Sequence, residues 1–247
     1  MALPKVVTPT YELKIPSTGQ KVKYRPFLVK EEKTLLMALE SGSEASMGTA
    51  MQQIIESCSE GKIKTKELAP FDIEYFFLHL RGKSVGEKIT VKVPRPEELK
   101  CCKEADPEDF HEVDIDIDEI KVDTSGAKSS EIQVTKDIGV KLKYPNVDLV
   151  NKYATAGESI SADNVFKLIS ECIDYIWDGD EIYKAKDSTK KELDDFIESL
   201  SSGQFGKVRD FFESMTRLQH EVNWFCPKCK KMKPLVLAGV DSFFGYR

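Results

Sequence analysis

The hydrophobic period changes along this chain, and no other feature limits its fold as much. Val113-Asp114-Ile115-Asp116-Ile117-Asp118 alternates strictly, with three apolar side chains on one face and three Asp on the other. An extended strand with one buried face sorts residues in this way. Met51, Ile54, Ile55 and Cys58 recur instead at i, i+3, i+4 and i+7, the buried stripe of an amphipathic helix. Strands grouped beside strands, between runs of helix, place the chain in the α+β class with antiparallel ribbons.

Along the chain, Tyr11–Pro16 and Lys21–Leu28 alternate around the turn residues Ser17-Thr18-Gly19-Gln20 and read as a hairpin. Helices are expected over 29–39, with Leu35, Leu36 and Leu39 on one face, over 50–58, and over 70–80. Strands are expected over 87–93 and 113–118, separated by a polar excursion that holds Cys101 and Cys102, then over 131–135 and 139–142. Helix returns over 162–176 behind the cap Ser161, in a second segment from Ser188 to Leu200, and over 204–215. Strand 218–225, the turn Cys226-Pro227-Lys228-Cys229 and Leu235-Val236-Leu237 follow. The expected organisation is two mostly helical lobes, 1–145 and 146–247. Each is trailed by an antiparallel β-ribbon with a cysteine-bearing turn.

A chain of 247 residues can bury a full core without disulfides or metal. Its net charge of −6 lacks the footprint of a nucleic-acid binder. The basic clusters Lys21–Arg25 and Lys228–Lys233 read as solvated strand faces. No apolar run reaches the roughly 18 residues of a membrane span, and Met1–Lys5 has no apolar core of a secretory signal. The expected setting is therefore a reducing cytoplasm, where the six cysteines form no disulfide framework. Cys58 and Cys172 fall inside helical patterns and read as core.

Cys226 and Cys229 carry the strongest chemical signal, a C-x-x-C turn between short strands that aims two thiolates at one point. A closed zinc site needs four ligands, so Cys101 and Cys102 are the next candidates, with His111 and His220 behind them. Three readings stay open: a structural zinc, a knuckle that packs without metal, and a redox dithiol. A strand turn suits the last poorly, because redox pairs of that spacing open helices. No cofactor is required. Gly82-Lys83-Ser84 imitates the end of a phosphate loop, but it follows an aromatic helix rather than a strand. The Asp114, Asp116, Asp118 ladder lacks the Gly and Glu of a calcium loop, with Glu119 and Ser125 in those places. Asp178-Gly179-Asp180-Glu181 reads as an acidic turn ending a helix. His79, His111 and His220 fall in no catalytic signature, and no G-x-S-x-G occurs. An enzyme is not expected.

From Leu13 to Lys33 the sequence forms a recognisable phrase, Leu-Lys-Ile-Pro-Ser-Thr-Gly-Gln-Lys-Val-Lys-Tyr-Arg-Pro-Phe-Leu-Val-Lys-Glu-Glu-Lys. It resembles the opening of the T4-type bacteriophage baseplate family. Lys83-Ser84-Val85-Gly86 resembles that family's step into a strand, and Cys226 to Cys229 before Asp241-Ser242-Phe243-Phe244-Gly245 resembles its closing knuckle and aromatic tail. One departure stands out: Cys101-Cys102 sit in a longer insertion where the family pattern would have a C-x-x-C turn. The resemblance implies a non-enzymatic tail protein that helps build the baseplate hub by binding hub and tail proteins, with homo-oligomers also expected. It would lie in the virion tail or in host cytoplasm during assembly, without membrane or nucleic-acid partners. A transient assembly chaperone and a zinc-ribbon nucleic-acid adaptor are the alternatives. Tyr24, Phe27, Phe243 and Phe244 are the candidate interface anchors.

Overall fold

The N-terminal hairpin is present in the computed structural model, which describes residues 6–42, 44–94, 110–122, 129–153, 161–225, 230–239 and 241–244. Tyr11–Lys14 (β1) and Lys21–Tyr24 (β2) pair antiparallel, with Tyr11 opposite Tyr24 and Leu13 opposite Val22. The chain as a whole divides into two units. Unit one comprises Met1–Thr65, Phe71–Asp123 and Arg217–Arg247; unit two comprises Lys66–Pro70 and Thr124–Thr216. The expected cut at 145 is therefore not where the chain divides. Strands 131–142 belong to unit two, and the last ribbon returns to unit one.

In unit one the hairpin leads into helices Val29–Ser41 (α1), Glu44–Cys58 (α2) and Pro70–Val85 (α3). α3 buries Phe71, Ile73, Phe76, Phe77, Leu78 and Leu80. A helix that apolar nearly all round is the central element of a core rather than a surface helix. Lys88–Pro94 (β3) and Phe110–Asp116 (β4) then form a ribbon, with Ile89 opposite Ile115 and Val91 opposite Val113. The expected strand 113–118 stops at Asp116, whose carboxylate accepts the Asp118 N–H at 3.0 Å and opens a short 3₁₀ turn. Lys121–Val122 (β5) pairs with Leu218–Phe225 (β10), which pairs in turn with Met232–Ala238 (β11).

Both ribbons are in the same unit, and they share one core. Leu78 of α3, Ile89 and Val91 of β3, Ile115 of β4, Val222 of β10 and Leu237 of β11 pack in a single apolar cluster. Ribbons trailing separate lobes were expected. Alternation gives each ribbon one apolar face, and a two-stranded ribbon cannot stay folded with that face in water. Each ribbon buries it against the other and against α3.

Unit two is less helical than expected. Glu131–Gln133 (β6), Ile138–Leu142 (β7), Ile173–Asp178 (β8) and Glu181–Lys184 (β9) form one antiparallel sheet in the order β6-β7-β8-β9. Its helices are Val147–Tyr153 (α4), Ala162–Glu171 (α5), Lys190–Glu198 (α6) and Ser202–Glu213 (α7). Val140, Leu142 and Ile173 of the sheet bury against Ile169 of α5, Ile197 of α6 and Phe211 of α7.

The helix expected over 162–176 ends at Glu171, and 173–178 is a strand. Asp178-Gly179-Asp180-Glu181 is a turn, but it closes a hairpin instead of ending a helix. Asp178 faces Glu181 across a two-residue loop, and Gly179 takes φ +56°. That positive φ matches the twist of the flanking strands at no steric cost. Opposite the loop, Gly139 lies under Trp177, whose ring atom would stand 1.9 Å from any Cβ placed there. The absent side chain is what seats the indole. Ser161 caps α5 as expected, whereas α6 is capped by Thr189 rather than Ser188.

Candidate functional site

The opening phrase of the sequence is an internal lock. Arg25, just past β2, donates to Glu31 of α1 at 2.9 Å, to the Pro26 carbonyl at 2.9 Å and to Ser57 Oγ of α2 at 3.3 Å. Glu31 is 4% exposed. Its carboxylate also accepts from Ser57 Oγ at 2.7 Å and from the Leu28 N–H at 2.9 Å, which satisfies the first turn of α1. Burial pushes this carboxyl upward, but hydrogen bonds from Arg25, Ser57 and Leu28 outweigh it and hold it at about 2. At the other end of the hairpin, Asp72 in the first turn of α3 accepts the Ser17 N–H at 3.0 Å and the Ser17 hydroxyl at 2.5 Å.

The second phrase meets the first. Ser84 Oγ accepts the Phe27 N–H at 3.0 Å and donates to the Leu80 carbonyl at 2.6 Å. Lys83 pairs with Glu87 and, at 3.5 Å, with Asp118 after β4. Arg25, Phe27, Glu31 and Ser84 thus tie the hairpin to α1, α2 and α3. A comparable knot in unit two joins α4, α5 and α6. Glu171 accepts from Lys152 at 2.7 Å, Lys190 at 2.9 Å and the Tyr153 hydroxyl at 2.5 Å.

Of the candidate anchors, Tyr24 is 3% exposed, with its ring edge-on to Phe76 at 5.1 Å, and burial pushes its hydroxyl up to about 12. Phe243, in Asp241–Phe244 (α8), is buried in the shared ribbon core. These two are core residues of unit one. Phe27 is half-buried, and the side chain of Phe244 lies outside those described. Cys101, Cys102, Cys226, Cys229 and the side chain of His111 also lie outside the described residues. Among the described residues no group of three His, Cys, Asp or Glu is placed to hold a metal.

Cys58 and Cys172 are buried free thiols, and burial pushes them up to about 11 and about 12, which keeps them protonated and unreactive. His79, on α3, is buried. Burial lowers its pKa, and its Nδ1 lies 3.6 Å from Asp118. The surface missed in the sequence is on α1. Leu36 and Leu39 are each 49% exposed, although Leu35 beside them is buried. A lone exposed Leu carries no signal in a sequence, and the periodicity of this helix fits either face.

The class these observations define is an α+β protein in which Arg25, Glu31, Asp72 and Glu171 join the chain's own elements. No helix among the described residues is long and apolar enough to cross a membrane. The chain belongs to the family described as T4 bacteriophage base plate protein, whose model matches residues 8–245. It is 24% identical over 221 residues to "Baseplate hub assembly protein gp26" of Enterobacteria phage T4, a match that covers 89% of this chain and 90% of that protein. No solved structure matches it.

Proposed function

We propose that this chain takes part in assembling a phage baseplate hub by binding other baseplate proteins, without catalysing a reaction. The observation that carries this is the end-to-end match to a baseplate hub assembly protein, 89% of one chain against 90% of the other. A shared domain alone would leave most of one partner unmatched. The internal use of Arg25, Glu31, Asp72 and Glu171 supports the non-catalytic part. Its place is the virion tail or the assembling baseplate, and the net charge of −6 favours protein partners over nucleic acid. Co-expression with the hub proteins of the same phage, followed by affinity capture on a tag on this chain, is expected to retain at least one of them through a high-salt wash. Capture of none, or salt-sensitive retention of DNA in their place, would overturn the reading.

The cysteine-bearing turns carry a narrower proposal: folding does not depend on metal. What supports it is the pairing that runs to the ends of the ribbons, Phe225 opposite Met232 and Pro94 opposite Phe110, over a shared apolar core. Chelation of the purified chain with EDTA is expected to leave its far-ultraviolet spectrum and melting temperature unchanged. Loss of strand signal that added zinc restores would instead assign a structural zinc to Cys226 and Cys229 with Cys101 and Cys102.

A further inference from the structure

α1 carries two stripes on opposite sides. Glu31, Leu35 and Ala38 are buried at i, i+4 and i+7. Val29, Lys33, Leu36 and Glu40, at i, i+4, i+7 and i+11, are all exposed. At about 100° per residue the two stripes point about 180° apart. Val29 is 79% exposed and Leu36 49%, and the flanking Met37 and Leu39 are 61% and 49%. Single exposed apolar residues need no explanation, but Val29, Leu36 and Met37 fall within about 100° of one side of the helix and form a patch, with Leu39 on the other flank. Met37 also lines the open cleft that α1 makes with Thr49, Ala50 and Gln53 of α2.

The charges on this stripe say what covers it. Lys33 and Glu40 lie on its centre line, seven residues apart and of opposite sign. Among the described residues neither has a salt-bridge partner. In an antiparallel pairing of two identical helices about a two-fold axis, Lys33 set against Glu40 of a second copy also sets Glu40 against that copy's Lys33. The same register brings Leu36 level with Met37 at the centre, in both directions. An isologous interface requires such self-complementarity, because one patch must serve as both partners. An unrelated partner would not.

We propose that the outer face of α1 is the interface at which two copies of this chain pair antiparallel through Leu36 and Met37, with Lys33 and Glu40 in reciprocal contact. A helix of this length spans about 20 Å. It offers less than the roughly 800 Å² per partner of a standard interface, so the pairing is weak and concentration-dependent.

Sedimentation equilibrium of the full chain over a micromolar to submillimolar series tests it. The weight-average mass is expected to rise from 27.9 kDa toward twice that value. Leu36→Glu, on a half-exposed side chain, is expected to hold the mass at the monomer with the circular dichroism spectrum unchanged. Lys33→Glu opposes two carboxylates at each end of the interface and is expected to weaken pairing about tenfold or more. Combining Lys33→Glu with Glu40→Lys exchanges the charges and is expected to restore it. A wild-type chain that stays monomeric throughout overturns the proposal, as does a dimer indifferent to Leu36→Glu or a charge exchange that restores nothing. A monomer whose capture of a hub protein fails on Leu36→Glu would assign the face to that protein, and the hub reading would stand while this one fell.

Discussion

Arg25→Ala is expected to remove about 3–5 kcal/mol from the unfolding free energy of unit one, the loss typical when one partner of a buried ion pair is deleted. The arithmetic turns on Glu31. Glu31 is 4% exposed with Arg25 in place, and without it only Ser57 and the Leu28 N–H remain as close buried partners of the carboxylate. Lys30 Nζ stays at 3.3 Å, but its own side chain is 67% exposed, so solvent screens most of what it returns. Replacing both members, Arg25→Met with Glu31→Leu, is expected to recover most of the loss, because no charge is then left buried. The pH dependence supplies a second reading of the same pair. Glu31 sits at about 2 in the folded chain against an ordinary 4.5, so its contribution is complete above about 4.5 and lost as pH falls toward 2. Urea titrations at a series of pH values are expected to show this acid limb in the wild type and a flatter one in Arg25→Ala. A loss below about 1 kcal/mol, in the range of surface pairs, would show that the network is solvated.

Phe211→Ala is expected to cost unit two a comparable amount, about 3–5 kcal/mol. Phe211 is 2% exposed, stacked on Tyr144 at a ring distance of 5.4 Å and edge-on to Phe212 at 5.1 Å. It also packs in the cluster that joins the sheet to α5, α6 and α7. Its removal leaves a ring-sized void between the sheet and the three helices packed on it. Phe166 is the control: it is 40% exposed and stacked on Phe205 at 4.6 Å, and its truncation is expected to cost about 1 kcal/mol. Trp177, in β8 of the same unit, reports unfolding by fluorescence. Equal midpoints for the two variants would sink the idea that Phe211 anchors this core.

The sequence carried the two periods clearly, and where only one period fitted, an element of that type formed, although the strand read over 113–118 stops at Asp116. Val113 and Ile115 could be nothing but one face of a strand. Cys172, Ile173, Ile176 and Trp177 fit a helix or a strand equally, and the helix reading prolonged α5 through what is β8. The deciding feature was Asp178-Gly179, which acts as a hairpin turn only once β7 is present to pair with the strand before it. α4 was missed because its start depends on Asn146, whose side chain accepts the Leu149 N–H at 2.8 Å. A seven-residue helix gives too little periodicity to register alone. The phrase from Leu13 to Lys33 marked the family but not the reason for its residues. That Arg25 and Glu31 are partners, and that Ser84 closes on Phe27, depends on folding that brings together positions up to 57 apart. Patterns give each element its apolar face; they do not say which faces meet, and so two ribbons assigned to separate lobes proved to share one core.

That shared core sets an order of events during synthesis. β3 and β4 leave the ribosome well before β10 and β11, and all of unit two except Lys66–Pro70 is made in between, as Thr124–Thr216. Until Val222 and Leu237 arrive, Ile89, Val91 and Ile115 have no second ribbon to cover them. Unit two, continuous but for Lys66–Pro70, meets no such delay. Unit two is thus synthesised before the last strands of unit one exist, and β3 and β4 wait for their second ribbon until β11 has been made.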